Sequence, residues 1–95
     1  MIQFQWDNEK AKRNHRKHEI TFEEASTVFY DPLSATFDDA DHSISEVRLI
    51  TVVFSSCGRL LVVSHTDKEK SIRIISARLA TAHERKKHEG KNTER

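Results

Sequence analysis

Residues 47–77 read VRLITVVFSSCGRLLVVSHTDKEKSIRIISA, and this run decides the fold. Valine and isoleucine recur through it, and their branched side chains suit a pleated surface better than a helix. Two strands are expected at 47–55 and 59–66, joined through Cys57-Gly58, where glycine can take the positive φ of a tight hairpin. A second turn through Asp67, Lys68 and Glu69 leads to a third strand at 71–77, so the run folds as an antiparallel meander. With a two-residue loop at Cys57-Gly58 and a four-residue loop at 67–70, Ile50, Val52, Phe54, Leu61, Val63, Ile72 and Ile74 share one face. Arg48, His65, Ser76 and Arg78 fall on that face too, and Leu49, Val53, Val62, Arg73 and Ile75 on the other. The bulkier apolar set is the expected core side.

Upstream, Ile2, Phe4 and Trp6 alternate with Gln3 and Gln5, the period of a short edge strand. Asp7 offers an N-cap to a basic helix through His18. Thr21-Phe22-Glu23-Glu24 has capping-box spacing, with Thr21 reaching the amide of Glu24 and the Glu24 side chain returning to that of Thr21. Ile20 and Ala25 sit where a hydrophobic staple closes the entry. Phe22, Ala25, Val28 and Phe29 form an apolar stripe that ends at Asp31-Pro32. Residues 33–38 can form a further strand before an acidic loop with Asp38, Asp39 and Asp41. Downstream, residues 79–89 read as a final helix. The reading is one α+β domain over 1–90, a small antiparallel sheet covered by helices in the order β-α-α-β-β-β-β-α, with a basic, flexible tail at 91–95.

Ninety-five residues fit one small domain, and 16 basic against 15 acidic side chains leave a net charge of +1. Attraction to nucleic acid must therefore come from where the charges sit. A single cysteine, Cys57, allows no internal disulfide and suits a reducing compartment. No apolar run is long enough to span a membrane, so a cytoplasmic protein is expected. The six histidines show no metal-ligand spacing, and two glycines cannot build a phosphate-cradling loop. Neither metal nor cofactor is expected.

Arginine recurs in or beside the strands at Arg48, Arg59, Arg73 and Arg78, with His65 on the middle strand and Glu84 and Arg85 on the last helix. Guanidinium forks held on a sheet suit phosphate. Metal-free RNA cleavage needs a base for the 2′-hydroxyl, a cation at the phosphate and an acid for the 5′-oxygen. Each residue also has a plainer reading: arginines paired to carboxylates, a hydrogen-bonded histidine, a solvated basic helix. Composition leaves both open.

The order of the residues adds to this. Phe4-Gln5-Trp6-Asp7, Lys10-Ala11, Asn14, Lys17-His18, Thr21-Phe22-Glu23-Glu24-Ala25, Phe29, Asp31-Pro32, His42-Ser43, Glu46, Arg48, Gly58-Arg59-Leu60-Leu61-Val62-Val63, Arg73-Ile74-Ile75-Ser76-Ala77-Arg78 and Glu84-Arg85 closely resemble the BrnT family of toxins over residues 2–89. Two positions depart from it. Glu19 stands where the family has a glycine, and His88 where a tyrosine is common; histidine could replace that hydroxyl as a proton carrier.

The resemblance implies a RelE-like α+β fold and a metal-independent endoribonuclease that inhibits translation as the toxin of a type II toxin-antitoxin system. It also implies a BrnA-type antitoxin partner, through which alone the complex reaches operator DNA. On that basis Arg48, Arg73 and Arg78 are expected to hold the scissile phosphate and His65 and Glu84 to move protons, while Lys10, Lys12, Lys17 and Arg85 contact the RNA. The rival expectation is a noncatalytic partner-binding module acting within a DNA-binding repressor complex.

Overall fold

The computed structural model describes residues 2–40 and 47–93, with 89–93 as backbone. Along the chain these form β1 (Gln3–Gln5), α1 (Asn8–His18), α2 (Phe22–Ser26) running into a 3₁₀ turn (Thr27–Tyr30), β2 (Ala35–Asp38), β3 (Leu49–Phe54), β4 (Leu60–Lys68), β5 (Ser71–Leu79) and α3 (Ala82–Thr93). Asp41, His42, Ser43 and Glu46, quoted above from the sequence, lie outside the described residues, as do 94–95 of the expected tail; α3 itself runs on to Thr93. It starts three residues later than expected because Leu79 is still paired with Leu61.

The sheet has five strands in the order β1-β5-β4-β3-β2. It is mixed rather than wholly antiparallel: β1 runs parallel to β5, pairing Phe4 with Ile72. A parallel neighbour needs a long crossover, and the helices and meander between the two strands supply it. The helices α1 and α2 cover one face. Ile20, Phe22, Ala25 and Val28 interlock there with Val53, Leu61, Val63, Ile74 and Ala77, and Phe4, Trp6, Ala11 and Phe29 seal the margin. Full burial of a side chain such as Phe22 stabilises by about 2–3 kcal/mol.

The caps explain where the helices start. Asp7 accepts from the amides of Glu9 (2.8 Å) and Lys10 (3.1 Å), and Thr21 Oγ1 from that of Glu24 (3.1 Å). The second half of the expected capping box is absent. The Glu24 carboxylate instead accepts from Ser55 Oγ (2.6 Å) and from Arg59, at Nε (3.0 Å) and Nη2, clamping α2 to the β3–β4 turn. A complete box forms at α3, where Thr81 Oγ1 accepts from the Glu84 amide (3.1 Å) and the Glu84 carboxylate from that of Thr81 (2.8 Å). Helix α2 tightens into 3₁₀ because the Ser26 and Thr27 hydroxyls bond back to the carbonyls of Glu23 (2.7 Å) and Glu24 (2.6 Å).

Two irregularities correct the expected faces. Val53 pairs with Leu61 and Phe54 with Leu60, and Ser55 N donates to Arg59 O (2.8 Å), leaving a three-residue loop with Gly58 at φ 80°. An odd loop reverses β3 relative to the two-residue assumption, so Thr51 and Val53 face the core while Ile50, Val52 and Phe54 face away. The second is a register shift beside Ser64 and His65: Ser64 pairs with Ser76 but His65 with Ile74. The extra residue, Ile75, turns Ser76 and Arg78 to the outer face.

Candidate functional site

These two shifts regroup the candidate residues. Arg73, paired with Thr66, stays on the outer face where it was expected, and Arg78, paired with Val62, joins it; Arg48, one residue ahead of β3, continues the alternation of Ile50 and Val52 on that face. The register puts Arg48 and Arg73 in one row with Thr66 between them, their Cα atoms roughly 10 Å apart across two strand spacings. Thr66 is 2% exposed, and among the described residues its Oγ1 is the buried side-chain atom left without a hydrogen-bond partner. Arg78 lies four β4 residues further along, about 13 Å away at ~3.3 Å per residue. The three arginines therefore share a face but do not converge on one phosphate.

The Arg78 end of the face is roofed by α3. A groove of about 420 Å³ opens between them, floored by Ala35, Ile50, Val52 and Val62, with Phe37 to one side and Arg78, Glu84, Lys87 and His88 along the helix side. Arg78 donates from Nη1 (2.8 Å) and Nη2 (2.9 Å) to the two oxygens of Glu84. That fork, helped by the Thr81 amide, holds the Glu84 carboxyl down at about 2, against the opposing effect of burial, and Glu84 in turn raises Arg78. Glu84 is thus a fixed anion at neutral pH and a poor proton carrier. The His88 ring meets Phe54 edge-on, with centroids 5.8 Å apart.

His65 is elsewhere. It lies on the core face, 1% exposed, edge-on to Phe29 at 4.7 Å. Its Nε2 is 2.7 Å from Thr51 Oγ1, which is 2.8 Å from Thr36 Oγ1; its Nδ1 is 2.7 Å from Asp67 Oδ1. Hydroxyl, imidazole and carboxylate follow in the order of a hydrolytic triad, yet Thr51 is fully buried, so no substrate reaches the hydroxyl. Burial pulls the His65 pKa down, and the hydrogen bond and charge of Asp67 offset only part of that.

Of the other expected contacts, Lys10, Lys12 and Lys17 stand exposed on α1, across the sheet from the groove, and Arg85 is exposed on α3. Arg59 is taken up by Glu24, whose carboxyl it holds below the usual range, with Ser55 assisting. Asn14 emerges as a bracket: its Nδ2 donates to Ile20 O (3.0 Å) and its Oδ1 accepts from Ala77 N (3.0 Å), tying α1, the interhelix turn and β5. Sequence reasoning passed over Thr66 and Lys87, and only the T-x-x-E spacing of Thr81 and Glu84 could have flagged the anchored start of α3. Among the described residues no three His, Cys, Asp or Glu side chains gather as a metal site, and no helix is long and apolar enough to cross a membrane.

Comparison with known proteins follows the same line. A family model described as the ribonuclease toxin, BrnT, of type II toxin-antitoxin systems matches residues 6–84. Among solved structures, the chain is similar to the ribonuclease toxin BrnT of Brucella abortus, from a 1.1 Å crystal structure. The TM-score is 0.65 and the identity 18%, over 85% of this chain and 99% of that one. At that identity the likeness supports the α+β fold alone. A comparison with curated protein sequences returned no match.

Proposed function

This chain belongs to the BrnT family of ribonuclease toxins of type II toxin-antitoxin systems, and on that premise we propose that it cleaves RNA without a metal ion along the outer face of its sheet. The observation that carries this reading is the rim of the groove, where a guanidinium, an ammonium and an imidazole, from Arg78, Lys87 and His88, border one cavity. In this reading the ribose 2′-oxygen attacks the adjacent phosphorus as His88 takes the hydroxyl proton. The bond to the 5′-oxygen breaks as Lys87 supplies a proton, leaving a 2′,3′-cyclic phosphate and a 5′-hydroxyl. Arg78, held in place by Glu84, stabilises the charge that builds on the phosphate oxygens.

Arg48 and Arg73 hold a neighbouring phosphate of the same strand, and Arg85 adds attraction from α3. Lys10, Lys12 and Lys17 contact RNA outside this track. His65 keeps a structural part, because a buried, doubly hydrogen-bonded imidazole on the other face cannot meet the substrate. Inhibition of translation, neutralisation by a BrnA-type antitoxin that alone contacts operator DNA, and a RelE-like relation of the fold complete the proposal, supported by the family membership.

The test is incubation of purified protein with RNA in excess chelator. Fragments ending in 2′,3′-cyclic phosphate are expected, and addition of the antitoxin should suppress them. Intact RNA, or cleavage only after a divalent ion is restored, would sink the reading.

A further inference from the structure

The groove has a chemistry that phosphate binding leaves unused. Its floor of Ala35, Ile50, Val52 and Val62 is apolar, while Phe54 and Phe37 are large apolar side chains left 37% and 51% exposed on the same face. The edge-on pair of His88 and Phe54 sets an aromatic wall at the helix side, next to the cations. A volume of about 420 Å³ falls within the size range of small-molecule sites. Apolar floor, aromatic wall and cationic rim together match one class of ligand, a planar base attached to a phosphate.

We infer that the groove receives an unstacked nucleobase next to the cleaved phosphate, which makes single-stranded RNA the substrate; this rests on the function proposed above. In a duplex the bases are stacked and paired inside while the phosphates face out, so a duplex could reach Arg78 and Lys87 but could not fill the space between α3 and the sheet. The floor carries no side-chain hydrogen-bonding group, so it distinguishes a base from no base far better than one base from another. Unstacking is the entry requirement, and sequence preference at this position is weak.

The experiment uses the full chain and 2′-O-methyl oligoribonucleotides, which have no free hydroxyl to attack, with binding read by fluorescence anisotropy. The single strand is expected to bind at least tenfold more tightly than the same sequence in a blunt duplex or an abasic strand of equal length. Ala35→Phe, which narrows the groove from the edge strand, should weaken single-strand binding at least fivefold. Equal affinity for base-bearing and abasic strands overturns the inference, and so does an Ala35→Phe protein that binds RNA normally but no longer captures antitoxin, since the groove would then belong to a protein segment. Should Ala35→Phe fail to fold, the abasic comparison on the unaltered chain decides alone. Cleavage of ordinary RNA, measured alongside, separates the two claims. Cleavage with base-independent binding removes the groove and spares the ribonuclease reading, whereas base-dependent binding without cleavage does the reverse.

Discussion

A histidine lies on each side of the sheet, His65 on β4 and His88 on α3, and the two could hardly be more different in what surrounds them. On the helix-covered face, His65 has both ring nitrogens engaged, by Thr51 and Asp67, and is sealed from solvent. On the outer face, His88 lies on the rim of an open groove beside Lys87 and Arg78. A saturated, buried imidazole stabilises; a half-buried one beside cations can exchange protons with a substrate. The lesson is that a histidine flanked by strand residues earns a catalytic reading only once its face is known.

The comparison breaks most sharply by exchanging the two rings. His88→Ala should lower RNA cleavage by about 10²–10⁴-fold, the usual worth of a general acid or base, while losing no more than about 1 kcal/mol of stability with the ring contact to Phe54. His65→Ala should instead cost about 3 kcal/mol of stability, read by denaturant unfolding, because it opens a cavity in the core and removes the hydrogen bond to the buried Thr51. Loss of cleavage in a stable His65→Ala protein, with His88→Ala active, would invert the assignment. Asn14→Ala tests the core face further. Leaving the Ile20 carbonyl and Ala77 amide unpaired should cost about 2 kcal/mol in the same unfolding measurement.

Effects on the outer face should appear in binding. Arg73→Ala is expected to weaken RNA affinity about tenfold, reduce the salt dependence by about one counterion and leave stability within about 0.5 kcal/mol. An unchanged salt slope would detach Arg73 from the track. Acid sharpens the contrast from the core side. The folded-state pKa of His65 is lowered by burial, so its contribution is complete above the ordinary value of 6.5. As pH falls below that, the unfolded chain binds a proton the folded one refuses, and stability drops until the lower folded value is reached. Unfolding midpoints between pH 7.5 and 5.5 should therefore fall more steeply in the unaltered chain than in His65→Gln; parallel slopes would show that His65 is not the group responsible.

The smallest expected change concerns Glu19, whose φ of 58° makes it the one non-glycine residue with positive φ among those described. A side chain there is strained, so Glu19→Gly should stabilise by about 0.5–1 kcal/mol in thermal melts, with cleavage unaltered. A loss of stability would mean that the Glu19 side chain contributes contacts that outweigh the strain.

Much of this was legible in local sequence. The alternation of Ile2, Phe4 and Trp6, the Asp7 and Thr21 caps, the Asp31-Pro32 stop and the glycine turn at Gly58 each depend on a few neighbouring residues, and each is present. Partner choice was not legible. Thr21-x-x-Glu24 and Thr81-x-x-Glu84 share one spacing, yet only the second closes a capping box, because Glu24 finds Arg59, 35 residues away, while Glu84 keeps its own helix start and adds Arg78.

By itself the amino-acid order determined the family, the elements and their succession, since all are written in residue types and short spacings. Tertiary structure alone decided which side chains share a face. One loop of three residues in place of two, and one extra residue at Ile75, moved Arg78 and the β3 apolar set to the outer face and left His65 in the core. The physical reason is the period of a strand: with side chains alternating every residue, a slip of one sends everything beyond it to the opposite side.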